Sequence, residues 1–392
     1  MIGDTWKSEL RSFKDSTTGQ EMIQLTNMGN NVHLYFTENS FDINKNEIIF
    51  RSDRASGENL LPHQNPHYDV YKMDLDSGVI TQLSAETGTL RQSGSMTKTP
   101  DSRIVVYGAG NQMKALDPAT GKTWVIYEGS DSYNMGAPSI ASNGRYIAFC
   151  RNENRHVQDG PNYTGFKERF YLVKDGRITI AYLDGSGWFD AFKDTHQVGH
   201  FQWCPDDPTI GTYCHEGPWN LVTQRMWLFD LASREAKPCF RQDEQDSIGH
   251  EFWTQDGYIF FDDRGPGHDG TITSDRTQAV AKDVHVNENA MIPFVGLCDR
   301  KGNTIRKIDM PFYCNHYHAN PDNSVLVGDD VDNLVLIDIS GEKAELKPLC
   351  SHGTSWHTQS AHCHPTWSWD GSRILWASDK GGKVNLYMTH IK

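Results

Sequence analysis

The sequence predicts an all-β chain, a seven-bladed β-propeller, and three observations carry that expectation. Composition is the first. Aromatics reach 11%, and the 392 residues include 34 glycines and 11 tryptophans, which suits many short strands joined by tight turns. The second is a recurring unit, a turn followed by a β-rich apolar run: "DINKNEIIF", "KTPDSRIVVYG", "ASNGRYIAF", "CPDDPTIGTY", "TQDGYIFFD", "NPDNSVLVGD" and "SWDGSRILWAS". Its turn residues are Lys45, Asp101, Asn143, Asp206, Asp256, Asp322 and Asp370, spaced by 42 to 66 residues, about one four-stranded blade with variable loops. The third is a second hairpin after each of the first copies, as in "YKMDLDSGVITQL", "FYLVKDGRITIAYL" and "LVLIDISGEKAELKP".

The seventh copy ends in "KVNLYMTHIK" and lacks its last strand. "TGQEMIQLTN", residues 18–27, resembles such a strand and precedes the first copy, so it is expected to pair with the C-terminal strand and close the ring. Closure removes exposed sheet edges. A short N-terminal helix is expected around "TWKSELRSF", and residues 1–392 are expected to form a single domain. Inserts at 51–68, 151–168 and 262–290 are dominated by Gly, Asp, Asn and charged residues, and are expected as surface loops.

Several function classes drop out. No apolar run approaches the ~18 residues of a membrane span. The opening "MIGDTWKSELRSFKDS" shows neither a basic n-region nor an apolar h-region, so no secretory signal is readable. The eight cysteines form no CxxC pair, and a chain of this size needs no staples, so reduced thiols in a cytoplasm are expected. The sequon at Asn162 is then without consequence. A formal charge of −14 argues against nucleic acid, which needs a basic footprint. A short anionic ligand remains compatible if its pocket carries local positive charge.

The chemistry lies in a histidine register. Six positions before the turn residue stand His200, His250, His316 and His364 in four consecutive repeats, against Asn39, Ser95 and Ala137 in the other three. In a propeller this position opens the strand that lines the channel, so equivalent residues of neighbouring blades are expected to converge. A repeat-wide capping histidine is the plain alternative, but three repeats manage without one. "HTQSAHCHPTWSWDG" adds His362 two residues before His364, on the same strand face by the period of two, with Gln359 further back. With His316 they make a three-histidine, one-amide set that fits a borderline divalent ion, and the amide oxygen tilts it toward a harder one such as Mn²⁺. Cys363 is expected to face away, whereas Cys314 shares a face with His316 and is an alternative ligand. His318, His352 and His357 read as loop or supporting residues. "CHEGPWNLVTQRMW" is the other dense stretch; it lacks the second histidine of a zincin, and Arg225 in it reads equally well as a surface arginine.

These stretches resemble the oligogalacturonate lyase family, polysaccharide lyase family 22. The likeness is carried by "YCHEGPWNLVTQRMWLFD", "GHEFWTQDG", "CNHYHANPDNSVLVGDD" and "HTQSAHCHPTWSWDG", and more weakly by "NNVHLYFTENSF" around His33. The resemblance implies a seven-bladed propeller with Mn²⁺ held by His316, Gln359, His362 and His364. It also implies proton abstraction by His250 and an active-site arginine at Arg225. Two departures stand out: "VDNLVLIDIS" after Asp330 runs straight into a strand, and the 262–290 insert has no counterpart. Both would reshape the rim of the site.

The chemistry implied is β-elimination on a 4-linked uronate. A divalent ion and Arg225 would stabilise enolate-like charge while neutral His250 removes the C5 proton. His200 and His215 are candidates for substrate contact or protonation of the leaving group. The expected partner is a short oligogalacturonide, with neither nucleic acid nor membrane. Two alternatives stand beside it: a lyase on another uronate-containing oligosaccharide, and a non-catalytic sugar-binding or interaction scaffold keeping a structural metal, with His250 and Arg225 buried or turned away.

Overall fold

The computed structural model describes residues 1–57, 67–86, 96–158, 164–264, 292–356 and 359–391. Seven antiparallel sheets, five of four strands and two of five, give the seven-bladed β-propeller arrangement. The chain packs into two compact units, one of Met1–Val125, His316–Asp338 and Leu346–Lys392, the other of Ile126–Asn315 and Ile339–Glu345.

Five of the seven predicted turns are held by a side chain that accepts a backbone N–H. Asp101, Asn143, Asp322 and Asp370 accept the backbone N–H two residues on, at 3.0–3.2 Å, from Arg103, Arg145, Ser324 and Ser372. Asp42 does the same for Asn44 at 2.8 Å in the first repeat. Such Asx turns reverse the chain between the first and second strands of a sheet. Aliphatic and aromatic residues of those strands then fill cores such as Ile48, Phe50, Tyr71, Val105 and Tyr107 in the first unit, and Ile178, Phe201, Tyr213 and Phe229 in the second.

The closing strand is where the sequence puts it. Glu21–Gln24 pairs with Asn385–His390, Met22 opposite Thr389 and Ile23 opposite Met388. The expected N-terminal helix is absent. Thr5–Trp6 pairs with Ile80–Thr81, and Arg11–Lys14 pairs with Glu21–Gln24 as a fifth strand. Aromatic packing decides this: Trp6 meets Tyr71 edge-on at 5.6 Å and Phe13 meets Tyr387 at 6.3 Å. A helix this short has no such packing to stabilise it.

A helix occurs elsewhere. "FYLV" of the third predicted hairpin forms the end of Phe166–Leu172, and the hairpin of that sheet is Gly176–Tyr182 with Trp188–Asp194. The inserts also begin as structure: Arg51–Ser52, Arg151–Glu153 and Asp262–Asp263 are strand ends. The remainder of the 262–290 insert from 265, together with Ser95, Asn162 and His357, lies outside the described residues.

The histidine register is real, but regular pleating does not produce it. In three sheets the pairing slips at this position: between Met135 and Pro138, Gly199 and Gln202, and Ile248 and Glu251. A bulge turns a side chain out of the pleat. His200 and His364 adopt φ of 51° and 47°, in the left-handed region that a non-glycine residue enters at a cost. His316 and His364 come just before Tyr317–Ala319 and Thr366–Trp367. His362 is on no strand face; it follows the 3₁₀ turn Gln359–Ala361.

Candidate active site

In the first unit, the strand entries bring His316, His362 and His364 together. One ligand atom from each lies within 4.8 Å of the others. Ring centroids are 4.3 Å apart for His316 and His364, and 5.5 Å for His316 and His362. Burial, reinforced by His316, pushes His362 and His364 well below the usual imidazole range, so both are neutral and keep a lone pair. His362 Nδ1 and His364 Nε2 are buried with no hydrogen-bond partner. A buried orphan of this kind is destabilising unless something occupies it.

His316 is braced by a residue the sequence reading missed. Its Nδ1 lies 2.9 Å from Asp329 Oδ2, and its backbone N–H also donates to that carboxylate. The proton therefore sits on Nδ1, and Nε2 is the ligating nitrogen, as in carboxylate–histidine–metal arrangements. Tyr35, Phe36 and Trp356 wall the cluster, with centroids 4.8 Å from His364, 5.3 Å from His316 and 5.2 Å from His362. The donor set fits a divalent ion of the kind inferred from sequence.

The neighbours sort as follows. Cys363 faces away, into a core with Trp367, Trp376 and Tyr387. Cys314 is buried and outside the three-histidine group. His352 and His318 are spent on backbone: His352 Nδ1 accepts from Thr354 N at 3.0 Å, and His318 Nδ1 from Trp367 N at 3.2 Å. His33 Nε2 contacts Cys363 O at 3.1 Å, and burial lowers its pKa to about 4. The Gln359 side chain lies outside the described residues.

In the second unit, His200, His250 and Arg225 come together. The rings of His200 and His250 are 5.9 Å apart. His200 Nε2 lies 3.0 Å from Glu216 Oε1, and its Nδ1 lies 3.8 Å from Glu251 Oε1. Arg225 is no surface arginine. It is 3% exposed, donates from Nε to Glu251 Oε2 at 3.2 Å, and keeps Nη1 3.7 Å from Glu216 Oε2. Burial alone would push Glu216 up, yet His200 and Arg225 outweigh it and hold the carboxyl at about 2. Burial likewise lowers His200, and Glu216, helped by Glu251, outweighs it, so the ring is raised above its ordinary value and its protonated form is favoured.

His250 is held differently. Its Nδ1 is 2.7 Å from Asn315 O and 2.8 Å from Arg264 Nη2. His215 belongs to a separate group: Nε2 lies 2.9 Å from Asp194 Oδ2, and the ring stacks on His196 at 4.2 Å. Glu216, Glu251 and Arg264 were not foreseen. The legible signal was the glycine before each bulged histidine, Gly199 and Gly249. A Cβ at Gly199 would stand 2.5 Å from Glu216 Cγ, and one at Gly249 would stand 2.5 Å from Arg264 Nε.

Comparison with known proteins gives the family. The oligogalacturonate lyase family model matches residues 3–263. The chain is 24% identical to an oligogalacturonide lyase of Pectobacterium atrosepticum and 24% identical to an oligogalacturonate lyase of Dickeya dadantii, each over 97% of this chain and 95% of the relative. Among solved structures, an oligogalacturonate lyase in complex with manganese aligns with a TM-score of 0.82 at 22% identity, covering 100% of this chain and 98% of that one. The crystal structure of oligogalacturonate lyase from Vibrio parahaemolyticus aligns at 0.84 and 21%, covering 100% and 99%. The class is thus a propeller-fold carbon–oxygen lyase acting on oligosaccharides. More particularly, since the family model matches more than half of its residues, the chain belongs to the oligogalacturonate lyase family.

Proposed function

We propose that the protein cleaves short oligogalacturonides by metal-dependent β-elimination, leaving an unsaturated uronate. The observation that carries this is the His316–His362–His364 cluster: three buried imidazoles, two with unpartnered nitrogens and the third oriented by Asp329. These three and Gln359 would hold the ion, and manganese in a related solved lyase supports Mn²⁺. When bound, the ion would supply positive charge to the substrate carboxylate and make the C5 proton easier to remove.

His250 takes that proton. His200, whose protonated form is favoured, returns a proton to the departing O4. Arg225 would steady the carboxylate: its firm hydrogen bond uses Nε, and Nη1, held only loosely by Glu216, is the edge it would offer to substrate. His215 is bonded to Asp194 and pairs with Val198, the start of the strand that carries His200, and it would contact the substrate only at the edge of the site. The positive charges of Arg225, Arg264 and His200 are matched by Glu216, Glu251 and Asp262. Attraction for a uronate therefore needs the ion as well as Arg225.

The test is turnover. Oligogalacturonides and glucuronate oligomers are offered side by side, with Mn²⁺ or with chelator, and the ultraviolet absorbance of the conjugated product is followed. Product from oligogalacturonide that vanishes with chelator and returns with Mn²⁺ is expected. Turnover of glucuronate oligomers alone moves the assignment to another uronate. Bound metal with no turnover on any uronide establishes the scaffold alternative, which also forecasts the burial of Arg225.

A further inference from the structure

Arg264 has no role in the reaction as proposed, yet it is built firmly into the strand end beside His250. Its side chain is fully buried, with Nε 3.1 Å from Asp262 Oδ2 and the guanidinium 3.8 Å from the Trp219 ring centroid. Nη2 donates to Asn315 O at 2.9 Å and also touches His250 Nδ1 at 2.8 Å. Asp262 accepts the backbone N–H of His250 at 2.6 Å, so one carboxylate holds both the arginine and the histidine backbone. Gly249 admits this arrangement, since a Cβ there would stand 2.5 Å from Arg264 Nε and 2.6 Å from Asp262 Oδ2.

His250 Nδ1, Asn315 O and Arg264 Nη2 form a triangle with sides of 2.7, 2.8 and 2.9 Å. Nδ1 either donates to the carbonyl or accepts from the guanidinium. Two N–H bonds on one guanidinium nitrogen diverge by roughly 120° in the planar fork. From Nη2, however, the other two corners of this nearly equilateral triangle lie only about 60° apart, so one arginine nitrogen cannot aim a hydrogen squarely at each. A carbonyl oxygen has two lone pairs and accepts over a broad range of directions. The arrangement that fits has Nδ1–H and Nη2–H both donating to Asn315 O.

We infer that Arg264 is a positioning residue for the elimination: it pins the Asn315 carbonyl, and that carbonyl holds His250 as the Nδ1–H tautomer, so that Nε2 is the nitrogen that takes the substrate proton. This rests on His250 being the base. Arg264 never touches substrate; it acts through the carbonyl, with Asp262 balancing its charge.

The experiment is ¹⁵N NMR of metal-loaded protein labelled at histidine nitrogens, with the His250 signals assigned by their loss in His250→Gln. Wild type should show a protonated Nδ1 and a bare Nε2. Arg264→Lys keeps the cation over Trp219 but cannot span Asp262 and Asn315. It should shift the tautomer toward a mixture and lower kcat about 10–100-fold, the range for residues that orient a functional histidine, with KM within about threefold. If that variant does not fold, Gly249→Ala displaces the guanidinium without removing it and should move both readouts the same way. A wild-type His250 protonated on Nε2, or variants with unchanged tautomer and kcat, overturns the inference. If His250→Ala stays within about threefold of wild type, the base reading itself fails and takes this one with it. An inactive His250→Ala beside a wrong tautomer sinks the inference alone.

Discussion

His200 and His250 occupy the same register in neighbouring sheets, 5.9 Å apart, and are held in opposite ways. His200 faces two carboxylates, Glu216 and Glu251, and its protonated form is favoured. His250 faces a backbone carbonyl and a guanidinium, and the Asp262 carboxylate accepts its backbone N–H. The bulge decides where each ring goes, and residues just past the second strand or at the first strand of the next sheet decide what it faces. Repetition supplies two copies of one position; the residues packed behind them differ, and on the proposed mechanism they suit one ring to donate a proton and the other to accept one.

Four experiments break or sharpen that contrast. The largest effect should come from the first unit, where His362→Ala and His364→Ala should each lose stoichiometric metal and nearly all turnover, whatever His200 and His250 do. Metal analysis decides it, and full metal content in both variants would refute the ligand set. Next, His250→Ala should keep its metal and lose ~10²–10⁴ in rate, the usual contribution of a positioned base, while His200→Ala should lose less. A reversed order would exchange the two roles.

The third experiment concerns stability. The Glu216 carboxyl is held at about 2 against an ordinary 4.5, so its contribution is present above 4.5 and disappears as pH falls through about 2. His200 is raised above 6.5, so its contribution is full below 6.5 and lost as pH rises through the raised value. Wild type should therefore exceed Glu216→Gln in unfolding free energy most clearly between pH 4.5 and 6.5, by at most about 3 kcal/mol. A difference independent of pH would mean the pair does not carry it. The smallest effect is a backbone one. His200 has φ of 51°, and His250 is not in the left-handed region. His200→Gly should be more stable than His200→Ala by about 1 kcal/mol, and His250→Gly no more stable than His250→Ala.

Much of this was legible in the sequence. The Asx turns carry their own side-chain chemistry, so Asp101, Asn143, Asp322 and Asp370 mark the repeats without any tertiary information. "TGQEMIQLTN" announced the closing strand because the last repeat lacked a partner. Counting from the turns also found His200, His250, His316 and His364. What escaped is what packing decides. Thr5–Trp6 and Arg11–Lys14 are strands because Tyr71 and Tyr387 receive their aromatics, a long-range fact invisible in a local pattern. His362 reaches its partners by a 3₁₀ turn where alternation had placed it on a strand. Asp329 ends the second strand of its sheet, and Glu216 and Arg264 come just after theirs, at irregular offsets from the turn, so no count along the chain marks them; only Gly199 and Gly249 hint at the room that Glu216 and Arg264 need.

The pairing of Glu21–Gln24 with Asn385–His390 also orders events in time. Thr389 bonds a residue 368 positions earlier, so the N-terminal strand leaves the ribosome long before its partner exists. The second unit, drawn mainly from Ile126–Asn315, can assemble during synthesis, but the sheet that carries His364 gains its outer strands only when Glu21–Gln24 meets Asn385–His390. Contacts of such separation are slow to form and leave an unpaired edge exposed meanwhile. Loading of the proposed metal site is thereby tied to that late pairing, because the segment bearing His362 and His364 is made only after the whole second unit.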